Sequence, residues 1–223
     1  VMEYLDMKLN SRLKYLGKIS IEESLRIIKA LAAAIKYAHA KGIIHRDIKP
    51  DNCMFRTDET PVLVDFGLAK TVDAETSISQ TGIRLGTPNY MSPEQCMGKK
   101  LDHRTDIYSL GVMFYKMLTG SAPYDTEETI GLMYQHIQAP VPKLPAEFAE
   151  YQGLLDRMMD KDRDKRIQDA SELISVIEQY QLGDTAVIQT AAETQKFDLK
   201  ETEYLERPIN GSGSRKKMIG IIA

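Results

Sequence analysis

The chain has 223 residues, 43% of them hydrophobic, with 29 Lys and Arg against 32 Asp and Glu for a formal net charge of -3. This is the composition of a soluble globular core, and it excludes a global basic field for holding nucleic acid. The two cysteines, Cys53 and Cys96, exclude a disulfide framework and fit small apolar interior positions in a reducing compartment. No secretory signal opens the chain, and Val1 begins directly on apolar sequence, as expected of a piece of a longer protein.

In chain order, residues 20–41 predict an amphipathic helix. Ser20 and Glu23 fit a capping box, Leu25, Ile28, Ala32 and Ile35 recur at helical spacing, and Gly42 stops the run. Short apolar runs at 53–56 and 62–64 flank the polar "TDET" and predict a hairpin. Residues 71–90 carry Thr, Ser, Gly and Pro without a period, which reads as a long loop of functional kind. The run "DIYSLGVMFYKMLT" at 106–119 is apolar on nearly every face, so it predicts a helix at the centre of the domain. Helices follow near 127–138, 146–159 and 170–181, the last capped by Asp169 and Glu172. Periodicity fades after Gly183, and residues 184–217 read as a linker. The whole is mostly helical with one short hairpin and no internal repeat.

The densest chemistry lies in "IIHRDIKPDNCMF" at 43–55, where two aspartates, two cations and an asparagine sit between apolar flanks. If the hairpin turns at Asp58–Glu59, facing residues sum to 117 and Asn52 stands opposite Asp65. An amide oxygen and a carboxylate about 5 Å apart across such a pair are hard oxygen ligands suited to Mg²⁺. The plainer alternative is that both residues terminate strands. A carboxylate at Asp47 can accept a proton from an attacking hydroxyl, and an ammonium at Lys49 can neutralise charge on a transferred phosphoryl.

"HRDIKPDN", then "DFG" at 65–67, then "GTPNYMSPE" together resemble the eukaryotic-type (Hanks-type) Ser/Thr protein kinases. The resemblance runs from Val1 to about Leu182, and the style of "DKDRDKRIQDASELI" and "YQHIQAPVPKLP" resembles the bacterial membrane-anchored branch. It implies an α+β protein-kinase-like fold: a mostly helical C-lobe with a small catalytic hairpin over 1–183, the N-lobe being absent from this chain. It further implies transfer of the γ-phosphoryl of ATP to protein Ser/Thr hydroxyls, with Mg²⁺. Asp47 would be the catalytic base, Lys49 would stabilise the phosphoryl, and Asn52 and Asp65 would hold the metal. Thr87 would brace Asp47 and Lys49. Met2, Glu3, Leu5 and Met54 would surround adenine. His45 and Phe66 would stack in an internal spine, Asp106 would accept main-chain hydrogen bonds from the catalytic loop, and Glu94 with Arg166 would form a buried ion pair. The position where many kinases place an acid for ribose falls at Leu9, and the glycine-rich phosphate loop and its lysine partner are missing. This stretch alone is therefore expected to be inactive, the activity belonging to a longer parent. A pseudokinase scaffold is the main alternative, and "GTPNYMSPE" argues against a small-molecule phosphotransferase.

Within "ETSISQTGIRLGT", Thr81 and then Ser79 are the expected phosphorylation sites, with Thr76 and Ser77 behind them. The family geometry brings Arg46 and Lys70 into one phosphate pocket for them. Autophosphorylation would involve kinase self-association. His39 reads as a satisfied core histidine, and His103 and His136 as surface or partly packed. Finally, Arg215–Lys217 precede an apolar run at 218–223, the pattern of a cytoplasmic domain ahead of a single-pass membrane helix. Six residues cannot span a bilayer, which takes about 20, so 218–223 would be only the start of such an anchor.

Overall fold

The computed structural model describes residues 7–66, the main chain of 70–71, and residues 88–182. The expected linker and membrane anchor lie outside the described residues.

Strand β1 (Met7–Lys8) leads straight into helix α1 (Leu9–Leu16), which buries only Leu9 and Leu13. The next helix, α2 (Ile21–His39), matches its expected span and buries Leu25, Ile28, Ala32 and Ile35. Only half of its capping box forms. Ser20 Oγ accepts from the Glu23 N–H at 3.3 Å, but the Glu23 carboxylate turns to Arg26 at 2.7 Å instead of reaching back. Gly42, at φ +71°, takes the left-handed conformation that turns the chain out of the helix.

Strand β2 (Ile43–Ile44) pairs antiparallel with β5 (Lys70–Thr71). Between them a 3-10 turn (Pro50–Asn52) enters β3 (Cys53–Phe55), which pairs with β4 (Pro61–Leu63) on one side and β1 on the other. The register corrects one expectation. Cys53 faces Leu63 and Met54 faces Val62, so paired residues sum to 116 and Asn52 is level with Val64, not Asp65. The cause is a three-residue loop. Glu59 adopts φ +66°, and the Arg56 N–H bonds the Thr60 carbonyl at 3.0 Å, centring the turn on Asp58 alone.

After the short α3 (Pro93–Cys96), helix α4 (Arg104–Thr119) is buried along nearly its whole length, as its sequence predicts. It crosses α2 on one side and α6 (Gln152–Met158) on the other. Gly111 permits the second crossing, because a Cβ there would lie 2.7 Å from Met159 Cγ and 2.9 Å from Met158 Cβ. Helix α5 (Thr129–Gln138) packs on α3. The helix expected at 146–159 divides: Ala146–Tyr151 is 3-10, broken at Phe148 (φ -117°), and only then does α6 begin. Asp169 Oδ1 accepts from Ser171 N–H at 2.7 Å and Glu172 N–H at 2.9 Å, and so starts α7 (Ala170–Gln181), which packs on α2. Met158 and Met159 are fully buried core filler, and Cys53 is buried, while Cys96 is only half-buried.

Candidate active site

The loop from His45 to Lys49 joins β2 to the 3-10 turn, and its shape is imposed from the core. Arg46 sits at φ +68°, a conformation that non-glycine residues seldom adopt without support. Support comes from the first turn of α4. Asp106, fully buried, accepts the His45 N–H on Oδ2 and the Arg46 N–H on Oδ1, both at 2.9 Å. His39, in the last turn of α2, places Nε2 2.7 Å from the same Oδ2. On the other side of the loop Gln95 donates from Nε2 to the Arg46 carbonyl at 2.8 Å.

His45 is itself fully buried, 3.0 Å from the Val64 carbonyl through Nε2, while its Nδ1 accepts the Asp47 N–H at 3.3 Å. A carbonyl can only accept, so the ring carries its proton on Nε2. The ring meets Phe66 edge-on at 4.6 Å. Sequence-distant residues thus fix the main chain that leads into Asp47.

Asp47, Lys49 and Asn52 come together as one constellation. Lys49 Nζ donates to Asp47 Oδ2 at 2.7 Å, and Asn52 Nδ2 donates to the same Oδ2 at 3.0 Å and to the Asp47 carbonyl at 2.8 Å. Both bonds use Oδ2, which leaves Oδ1 as the carboxylate's open acceptor among the described residues. The side chains of Lys49 and Asp47 are 35% and 30% exposed, enough to meet a ligand. Because the Asn52 nitrogen is committed to Asp47, its amide oxygen is turned the other way. Asp65 is exposed, at φ +62°, and makes no hydrogen bond or ion pair with a described residue. The chemistry of this pair, an outward amide oxygen and a carboxylate without a partner among the described residues, fits a hard cation that keeps phosphate oxygens and water. No group of three or more His, Cys, Asp or Glu that could hold a metal exists among the described residues, so a cation here would rely on such outside ligands. Met54 alternates with the buried Cys53 and Phe55 and is partly exposed. Leu9 is fully buried and offers no polar group.

Glu94 and Arg166 form a two-pronged pair deep in the domain, with NH1 to Oε1 at 2.8 Å and NH2 to Oε2 at 3.1 Å. Thr105 also donates to Glu94 Oε1 at 2.7 Å, and Arg166 donates to the Arg104 and Asp160 carbonyls. Burial pushes the Glu94 carboxyl up, but the Arg166 and Thr105 hydrogen bonds outweigh it and hold the group below the usual range.

Met2, Glu3, Leu5, Ser79, Thr81 and Thr87 lie outside the described residues. The main chain sets Lys70 opposite Ile44, two positions before Arg46. Sequence reasoning missed Gln95, although "SPEQ" carries the signature that would have found it: Ser92 and Gln95 form a complete capping box. It also read His136 as surface or partly packed, whereas the ring is fully buried against Tyr108 and Tyr124.

Residues 1–177 match the protein kinase domain family. The chain is 40% identical over 172 residues to serine/threonine-protein kinase pkn2 of Myxococcus xanthus, covering 72% of this chain and 21% of that protein. It is 35% identical over 230 aligned positions to a probable serine/threonine-protein kinase of Clostridium acetobutylicum, covering 94% and 35% respectively. A further relative, serine/threonine-protein kinase PknB of Mycolicibacterium smegmatis, is 34% identical over 202 residues, covering 86% and 32%. The chain therefore spans about a third or less of the length of these relatives. With the match extending from the start of the chain into α7, past the Asp47 constellation and the Glu94–Arg166 pair, the chain belongs to the protein kinase family.

Proposed function

We propose that the full-length protein transfers the γ-phosphoryl group of ATP to Ser or Thr hydroxyls of proteins. The observation that carries this reading is the Asp47 carboxylate, with Oδ2 held by Lys49 and Asn52, Oδ1 open among the described residues, and the main chain before it hung from the buried Asp106. Asp47 Oδ1 would orient the acceptor hydroxyl and take its proton as the new O–P bond forms and the bond to the ADP oxygen breaks. Lys49, within reach of both, would shift from Asp47 toward the phosphoryl oxygens. Asn52 and Asp65 would hold Mg²⁺, which supplies charge neutralisation across the phosphates when bound. Met54 would line the adenine site beside Met2, Glu3 and Leu5, and Thr87 would brace Asp47. The printed names of the relatives support Ser/Thr as the acceptor class.

Regulation by phosphate at Thr81 or Ser79 is supported by the pairing of Lys70 with Ile44, two positions before Arg46. The cationic Arg215–Lys217 ahead of the apolar 218–223 supports a membrane-proximal domain. No helix among the described residues is long and apolar enough to cross a membrane.

Steady-state kinetics on two variants test the assignment. Asp47→Asn should lower kcat by roughly 10²- to 10⁴-fold, the usual worth of a positioned acid–base group, at nearly unchanged KM for ATP. Asp65→Asn should weaken Mg²⁺-ATP binding as well. Normal turnover in Asp47→Asn would overturn the reading.

A further inference from the structure

Beneath the segment 88–92 lies a polar cluster that the proposed chemistry does not use. Lys161 Nζ donates to three oxygens: Tyr124 OH at 2.8 Å, the His136 carbonyl at 2.9 Å and Tyr108 OH at 3.0 Å. None is a carboxylate, so a cation is held here by neutral acceptors alone. The His136 carbonyl belongs to the last turn of α5, whose free carbonyls attract a cation. Tyr108 lies on α4, and Tyr124 on the connection from α4 to α5. One ammonium therefore ties three parts of the chain together.

The ammonium also sets the direction of every bond beyond it. An ammonium can only donate, so both phenol oxygens accept from it and must send their own protons onward. Tyr124 OH donates to the Pro140 carbonyl at 3.1 Å. Tyr108 OH lies 3.0 Å from His136 Nδ1, so Nδ1 is the acceptor and the ring proton sits on Nε2. Burial and the nearby Lys161 push His136 down to about 4, which keeps the ring neutral and this tautomer intact at physiological pH. Among the described residues His136 Nε2 forms no hydrogen bond of ordinary geometry, and neither does the buried Asn89 Oδ1. Yet the Asn89 main chain is close enough to raise the His136 pKa, as a carbonyl facing a ring N–H does. The chain of donors thus points from Lys161 through Tyr108 and His136 at Asn89, and Ser109 fixes the next residue by donating to the Tyr90 carbonyl at 2.7 Å.

We propose that Lys161 is a positioning residue for the protein acceptor, holding α5 and the main chain at Asn89 in the shape that receives the polypeptide being phosphorylated. The inference rests on the kinase reading above and on "GTPNYMSPE" as its acceptor-positioning segment. Lys161 is unusual in reaching this position as a cation. Burial, then the Arg166 guanidinium, push it down to about 8, with Asp160 and Cys96 opposing. Arg166 also stands over the Tyr108 ring at 5.1 Å, which joins this cluster to the Glu94 pair.

The test uses the full-length protein with two acceptors: water, as ATP hydrolysis, and a basic protein such as histone. Lys161→Met removes the donor at similar length. It should raise KM for histone roughly five- to tenfold, the effect of losing one or two buried hydrogen bonds, while KM for ATP and hydrolysis change less than about twofold. Lys161→Arg, which keeps the charge, should restore most of the acceptor affinity. If Lys161→Met does not fold, Tyr108→Phe decides, since it cuts the path to His136 and leaves the other two bonds of Lys161. An unchanged histone KM, or a parallel fall of hydrolysis and transfer, overturns the proposal. Absence of both activities in the unmodified protein overturns the kinase reading and this inference with it.

Discussion

Two groups of charges hang on helix α4, and they differ in what surrounds them. At the helix start, Asp106 is buried, but the loop it holds presents Asp47 and Lys49 about a third exposed. A turn away, Glu94 and Arg166 are closed off, with side chains 5% and 0% exposed. The comparison separates two uses of charge. The exposed pair is cheap to leave partly unsatisfied, because water can complete its shell, and so it is available for chemistry. The closed pair has no such recourse. Both Glu94 oxygens and all three Arg166 nitrogens have partners within the protein, and the pair's value lies in what fails when one partner is removed.

The largest expected effect tests the closed side. Arg166→Met leaves the Glu94 carboxylate buried opposite an apolar side chain, which should cost about 3–5 kcal/mol of stability. Urea denaturation of the variant would show it, and a loss under about 1 kcal/mol would mean that water enters the site and the comparison fails. A smaller effect tests the link between the two sides. Asp106→Asn turns an acceptor of two main-chain donors into a group with one oxygen and one clashing N–H₂. It should lose about 2 kcal/mol and lower kcat more than KM for ATP, because Arg46 loses the bond that holds its left-handed backbone. Unchanged kcat would show that the loop shapes itself.

The smallest effect is graded in pH. His136 moves from 6.5 to about 4 on folding, so between those values the unfolded chain binds more protons. Its contribution is complete above 6.5 and is lost as pH falls through about 4. Glu94, held below 4.5, contributes fully above that value and loses its share as pH falls further. The unfolding free energy should therefore decline from pH 6.5 downward, by no more than ~1.4 kcal/mol per pH unit for one group. His136→Gln should flatten the part of the curve between 4 and 6.5, and an unaltered curve would assign the decline elsewhere.

How far the sequence carried differs between the same regions. Helices α2 and α7 were legible because apolar spacing and caps at Ser20 and Asp169 agree, and α4 because nearly all its faces are apolar. Helix α1 was not read, since it buries just Leu9 and Leu13. The hairpin was found but misregistered by one residue, because nothing in "TDET" announces that Glu59 turns left-handed. Asp47, Lys49 and Asn52 could be picked out because they lie within six consecutive residues, and the structure brings them together. Gln95 and Lys161 escaped for a different reason. Each acts on atoms far along the chain, Gln95 on Arg46 at a separation of 49 and Lys161 on Tyr108 at 53. Inside "DKDRDKR", a lysine reads as one more solvated charge.

Those separations also set an order of events during synthesis. Asp106 follows the His45 and Arg46 main-chain groups that it receives by 61 and 60 residues, and Arg166 follows Glu94 by 72. A ribosome that has released the loop has not yet made the carboxylate that bends it, and one that has released Glu94 still owes its partner. Chains emerge at about 5–20 residues per second, so the loop waits several seconds as an ordinary flexible strand of charges. Competence arrives late, when most of this stretch has left the exit tunnel. A half-made chain therefore holds every residue of the Asp47 constellation before the carboxylate that shapes its loop is in place.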